Sequence, residues 1–221
     1  MFNFCPDEEG WGPISPIRYA FTPCFQDGVL SIIPTLFLVL AGSAQAWQYL
    51  QHTRITNARN YTYVAKILTV FLLLCDHVVL AVIRWQESRE WQHDVLVWSS
   101  FLKVFGTIFA ISLHDLEYIR NDSPVPSGVL LFYWSFTVLF DAIKLYSLVA
   151  ADIQQLLYFV LFTAGFALEV LIFLLEYLLP KGSNQYVRLQ HEDDEDGAEP
   201  CPADSADIFS RYFLSGTEGL N

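Results

Sequence analysis

The sequence predicts an all-α membrane protein: an antiparallel bundle of five transmembrane helices with an acidic cytosolic tail. Three observations predict it. Apolar residues make up 53% of the chain and charged residues 16%, against about 25% charged in soluble domains, too few to cover a water-facing surface. The apolar residues fall in five blocks of about 20 or more, long enough at 1.5 Å per residue to cross about 30 Å of hydrocarbon. The composition then changes abruptly near Leu179, where Pro180, Lys181 and Gly182 stop the last block.

Three segments follow from this pattern: a lumenal leader over 1–28, a five-helix transmembrane domain over 29–179, and a cytosolic linker over 180–221. The spans are placed at Val29–Leu50, Thr62–Ile83, Val95–Tyr118, Gly128–Ala150 and Leu156–Leu179. Trp47, Tyr49, Tyr61, Tyr63, Trp85, Trp98, Tyr118, Tyr158 and Tyr177 stand near span ends, as interfacial aromatic belts do. Pro34 removes a backbone donor and is expected to kink the first helix. The short connections 51–61, 84–94, 119–127 and 151–155 make consecutive helices antiparallel neighbours.

Loop cations set the orientation. With the N-terminus lumenal or outside, the cytosolic segments carry Arg54, Arg59, Arg120, Lys181, Arg188 and Arg211, and the opposite side Arg18, Arg84 and Arg89. Six against three favours N-terminus out and C-terminus in. The sequons Asn60-Tyr61-Thr62 and Asn121-Asp122-Ser123 then face the cytosol and should remain unmodified.

The net charge of −12 contains no basic patch, which argues against nucleic acid as a partner. The tail from 180 to 221 holds nine acids and three bases. Its run Glu192 to Asp196 is a solvated stretch, with contact to a basic surface as the sharper alternative. Beyond it, Ile208, Phe209, Tyr212 and Phe213 share one helical face, with Arg211 beside them, which reads as a short amphipathic helix over 205–213. This helix would dock on a partner or lie on the bilayer.

No GxxxxGK[ST] phosphate loop occurs in the 221 residues, and no nucleophile–base set is apparent, so neither catalytic nor cofactor-binding residues are expected. The cysteines, at 5, 24, 75 and 201, have no metal-type spacing. Cys5 and Cys24 lie together in the leader, where an oxidising compartment permits a disulfide; two free thiols are the alternative. Cys75 is expected to pack as a small hydrophobe.

Six ionisable residues interrupt the spans: Asp76, His77, Lys103, Asp141, Lys144 and Glu169. An unpaired charge at these depths costs about 3 kcal/mol or more, so an intramembrane polar network is expected. For Asp76 and His77, a packing contact is preferred over a proton or substrate role. Asp141 and Lys144 share a helix face and can pair with each other, or with Lys103 or Glu169 across the bundle. His114, Asp115 and Glu117 offer too few ligands for a metal site and are expected to be solvated at the interface.

Several motifs carry a family resemblance. Glu9-Gly10-Trp11-Gly12-Pro13-Ile14-Ser15, Phe21-Thr22-Pro23-Cys24-Phe25-Gln26-Asp27-Gly28, Leu113-His114-Asp115-Leu116-Glu117-Tyr118, Leu131-Phe132-Tyr133-Trp134 and Pro200-Cys201-Pro202 with Phe209-Ser210-Arg211 occur in order along the chain. Together they resemble the extra N-terminal membrane domain and linker of fungal vacuolar transporters of glutathione conjugates and cadmium. Those belong to the multidrug-resistance-associated branch of ATP-binding-cassette transporters.

The resemblance implies a non-catalytic accessory domain that serves trafficking, partner binding and regulation, with its linker packed on a transport core. It implies the vacuolar membrane, with the plasma membrane as the alternative. The bilayer and the transport core, or another membrane partner, are the implied contacts. After Arg211 the chain departs from the pattern, so it is expected to stop short of the core. A free-standing five-helix membrane adaptor is the alternative reading.

Overall fold

Helix 1 starts earlier than its apolar run suggests. Thr22 takes an extended conformation and its side chain accepts a hydrogen bond from the Phe25 amide at 3.4 Å, while Pro23 occupies the first turn. Both are strong helix-start features. The structure, a computed structural model, describes Cys5 and residues 12–14, 21–51, 61–88, 94–120, 127–150 and 156–178. Among these residues run five helices: α1 Pro23–Gln51, α2 Tyr61–Glu87, α3 Val95–Arg120, α4 Gly128–Ala150 and α5 Leu156–Leu178. Each is long and apolar enough to cross a membrane. Pro23–Gly28, read from sequence as leader, thus belongs to α1.

Near its start α1 opens into one wide π turn, Gln26–Leu30, closed by Ser31 N donating to the Gln26 carbonyl at 3.0 Å. The turn ends at Leu30, the residue whose carbonyl Pro34 cannot bond. The distortion expected at Pro34 therefore falls one turn upstream, as an inserted residue.

Side by side, α1 packs on α3 and α4, α2 on α3 and α5, and α4 on α5. The helices close a ring in the order α1, α3, α2, α5, α4. Consecutive pairs α2/α3 and α4/α5 are neighbours. The pairs α1/α2 and α3/α4 are not, among the described residues, which corrects the expectation that every short loop joins ring neighbours. A connection need only return the chain through the membrane; interior packing decides where.

The ring is apolar outside and carries charged layers inside. Leu36, Leu40, Leu68, Phe71, Val79, Phe105 and Leu139 face outward, while Asp27, His77, Asp141, Lys144, Glu169 and Glu176 are buried. Between the charged layers lies an apolar core of Leu38, Val70, Leu73, Ala110, Leu113, Leu130, Trp134 and Ile172. Close crossings set its width. At Gly106 an added Cβ would come within 3.1 Å of Thr35, and at Gly42 within 2.9 Å of Phe109. Cys75 does not pack inside as expected; it is exposed on the outward face.

Most of the aromatics assigned to the belts sit at helix ends, with Trp47, Tyr61, Trp85, Trp98 and Tyr177 exposed. Tyr49 and Tyr158 are buried instead. Gln45 holds Tyr49 by a 2.6 Å hydrogen bond, and Arg84 lies 4.1 Å over the Tyr158 ring.

At the N-terminal end, Cys5 and Cys24 form a disulfide with Cα atoms 5.8 Å apart. Cys24 is fully buried and packs with Val95 and Leu96 at the start of α3. The Thr22 hydroxyl donates to the Gly12 carbonyl at 2.6 Å, and Ile14 bridges Phe21 in antiparallel fashion. The described part of the leader is thereby tied to the mouth of the bundle.

Candidate functional site: two charged layers inside the bundle

Antiparallel packing brings the start of α1, the end of α2, the start of α3, the end of α4 and the start of α5 to one end. The spans place ionisable residues in that half from all five helices. Lys103 Nζ donates to both Asp141 oxygens, at 2.6 and 2.5 Å, joining α3 to α4 across the ring. Lys144 of α4 pairs with Asp27 of α1, both side chains nearly shielded from solvent. Phe162 lies between these pairs, its ring centre 5.8 Å from the Lys103 amine and 5.4 Å from that of Lys144. An aromatic face between two ammonium groups offsets part of their desolvation.

His77 of α2 links two further helices. Its Nδ1 is 2.9 Å from the Thr107 hydroxyl on α3, and its Nε2 is 3.6 Å from Glu169 Oε1 on α5. Glu169 is 1% exposed, and its other oxygen has no hydrogen-bond partner among the described residues. Asp76 sits against Gly165, where an added Cβ would collide with the carboxylate; Asp76 Oδ2 is likewise without a partner. Asp27, Asp76, His77, Lys103, Asp141, Lys144 and Glu169 surround one small cavity of about 30 Å³.

A second charged layer lies near the opposite end. Glu176 of α5 accepts from Lys66 of α2 at 2.9 Å and contacts His114 Nδ1 of α3 at 3.2 Å. The His114 ring stacks on Trp134, with 6.4 Å between ring centres. His114 and Glu117 are 5% and 4% exposed. This corrects their expected interface solvation; only Asp115 of that trio is exposed, and it accepts from Tyr63 at 2.7 Å. Burial here follows from α5 bringing an acid to His114, which the α3 sequence alone does not reveal. Gln45 and Ser127 add a polar bridge between α1 and the start of α4 at 2.8 Å.

All six residues of the expected network line the cavity. The pairing within it is specific: Asp141 takes Lys103 rather than its helix-mate Lys144. Sequence reasoning missed Asp27, Lys66 as a pairing partner, and Glu176. Asp27 was counted as leader, although Thr22-Pro23 already announces a helix. Lys66 and Glu176 stand near span ends, where a long charged side chain can reach the interface without a partner. Among the described residues no group of three or more His, Cys, Asp or Glu is arranged to hold a metal ion. The amphipathic segment with Ile208, Phe209, Arg211, Tyr212 and Phe213, the acidic run and both sequon asparagines lie outside the described residues.

This arrangement can lock five helices in register, because each ion pair joins different helices at a fixed depth. It can also hold polarity, and a little free volume, inside a bilayer.

Comparison with known proteins points the same way. A family described as the ABC transporter TMD0 domain matches residues 2–167. The metal resistance protein YCF1 of Saccharomyces cerevisiae is 29% identical over 228 residues, covering 99% of this chain and 14% of that protein. ABC-type transporter FG02316 of Gibberella zeae is 27% identical over 126 residues, covering 57% of this chain and 8% of that protein. The chain thus spans a small part of the length of the relatives it matches. With its helical bundle and a family match across residues 2–167, the chain belongs to the TMD0 family, a membrane domain of ABC transporters.

Proposed function

We propose that the chain serves as the accessory, non-catalytic N-terminal membrane domain, with linker, of an ATP-driven exporter of glutathione conjugates or xenobiotics. Its work there is trafficking, partner binding and regulation. The observation that carries this reading is the TMD0 match together with 29% identity to a metal resistance transporter across 99% of the chain. Two features support it from within. The 221 residues contain no phosphate loop, and among the described residues the charged layers link helices to each other.

The vacuolar membrane is the proposed location, with the N-terminus in the lumen and the C-terminus in the cytosol. The six-to-three cation bias supports this orientation. The Cys5–Cys24 disulfide supports it independently, because such bonds persist on the oxidising side of a membrane. A C-terminal tag in sealed, cytosol-side-out vesicles should be digested by external protease. Full protection of the tag would reverse the orientation.

The proposed contact to the transport core is the segment 205–213. Burying Ile208, Phe209 and Phe213 would contribute roughly 4–8 kcal/mol before ordering costs. A helix this short is marginal alone in water, so it should order only against its partner. Phe209→Asp with Phe213→Asp should leave membrane insertion intact and abolish co-purification with a separately expressed core. Unchanged co-purification would place the contact among the membrane helices instead.

A further inference from the structure

The ion pairs do not use up the charge around the cavity. Four carboxylates face it, from Asp27, Asp76, Asp141 and Glu169, against the two ammonium groups of Lys103 and Lys144. Arg84, over the Tyr158 ring at the cavity rim, is offset by Glu87 at 3.8 Å on its own helix, so two carboxylates remain in excess. Both lysines are already bound, to Asp141 and Asp27. The excess therefore falls on Asp76 and Glu169, each with one shielded oxygen lacking any hydrogen-bond partner among the described residues. A net buried charge inside a bilayer is strongly unfavourable unless something neutralises it.

Hydrogen placement leads to the same residue. With the Thr107 hydroxyl donating to the Lys103 carbonyl at 2.9 Å, it accepts from His77 Nδ1, also at 2.9 Å. In a neutral ring this leaves Nε2 without a hydrogen, its lone pair turned toward Glu169 Oε1 at 3.6 Å. The Glu169 carboxyl then faces two acceptors, His77 Nε2 and the neighbouring Asp141 carboxylate.

We propose that the cavity beside Asp76 and Glu169 is a binding site for one small monovalent cation, a hydronium or an alkali ion. The volume of about 30 Å³ suits one such species with a water, since about 10–15 Å³ holds one water-sized particle. Ser99 and Ser100 also line the cavity, and both donate their hydroxyl hydrogens to the Leu96 carbonyl, at 3.0 and 2.9 Å. Their remaining lone pairs are free to act as neutral ligands. A divalent metal is disfavoured, because the two ammonium groups of Lys103 and Lys144 stand close by.

The test uses the whole chain in lipid nanodiscs and reads the thermal unfolding midpoint. In one arm N-methylglucamine chloride is exchanged for sodium or potassium chloride at constant pH and ionic strength. In the other, pH is lowered at constant salt. The wild type should gain several degrees in one arm, and that arm identifies the source: alkali ion in the first, hydronium in the second. Asp76→Asn and Glu169→Gln should each abolish the gain. Should Glu169→Gln fail to fold, the half-buried Asp76 carries the comparison alone. Two wild-type measurements stand beside it: displaceable radiolabelled sodium binding, and an infrared carboxylic-acid band that appears on acidification. A wild type that responds in neither arm and in neither measurement overturns the proposal, as does an undiminished response in the variants that fold.

Discussion

Lys103 shows what a single charge can do in this setting. Its ammonium crosses the ring to both oxygens of Asp141, with Phe162 beneath it. Removing one member of such a pair strands the other and costs about 3–5 kcal/mol, whereas replacing both by apolar groups is often neutral. Lys103→Leu should therefore lower the unfolding midpoint sharply, and Lys103→Leu with Asp141→Leu should recover most of the loss. Thermal denaturation of the two purified variants checks this; a double variant no better than the single one means that the two side chains are not coupled. Charges of this kind are readable in sequence, because Asp76, Lys103, Asp141, Lys144 and Glu169 each interrupt an apolar run. Their partners are not readable. Asp141 stands one turn from Lys144 yet binds Lys103, because Lys144 is taken by Asp27 of the first helix. Residues near span ends stay hidden for a different reason. Asp27 and Glu176 look like ordinary interface charges until the neighbouring helices are seen to cover them.

The elements were legible to within a turn or two, apart from the start of α1. There the local chemistry of Thr22 and Pro23 outweighed the apolar pattern, and the helix gained the turn that carries Asp27 to Lys144. The wide turn over Gln26–Leu30 had only Pro34 as its signal. The disulfide fixes this same end by closing a loop with a sequence separation of 19. A closed loop of that size stabilises by about 3 kcal/mol, chiefly by restricting the unfolded chain. Cys5→Ser should lower the unfolding midpoint, and wild type treated with reductant should match the variant. Cys75→Ser, on the outward face, should change neither value. Reductant that leaves the wild-type midpoint unchanged would mean that the leader adds nothing to the hold on α1.

Across the whole molecule, five spans and their antiparallel alternation followed from composition and loop length, but the ring order α1, α3, α2, α5, α4 did not. Loop length limits only how far apart two ends lie, and several orders satisfy these loops. The order chosen brings Asp27 to Lys144, Lys66 to Glu176, His77 to Glu169 and Lys103 to Asp141. In each of these pairs one member lies in the first three helices and the other in the last two. A ribosome makes the chain from one end, so Asp27, Lys66, His77 and Lys103 enter the bilayer before their partners exist. The nascent protein must carry these charges half-matched until α4 and α5 arrive, held by the insertion machinery or kept near the interface. A chain ended after residue 127 should consequently fail to settle in the bilayer and be degraded quickly, while the 221-residue chain persists. Pulse–chase lifetimes of the two forms, with alkaline extraction of the membranes, measure this directly. Equal persistence would mean that the early helices find other partners. On this view the last two helices act as the release signal for the first three, and maturation is timed by translation itself.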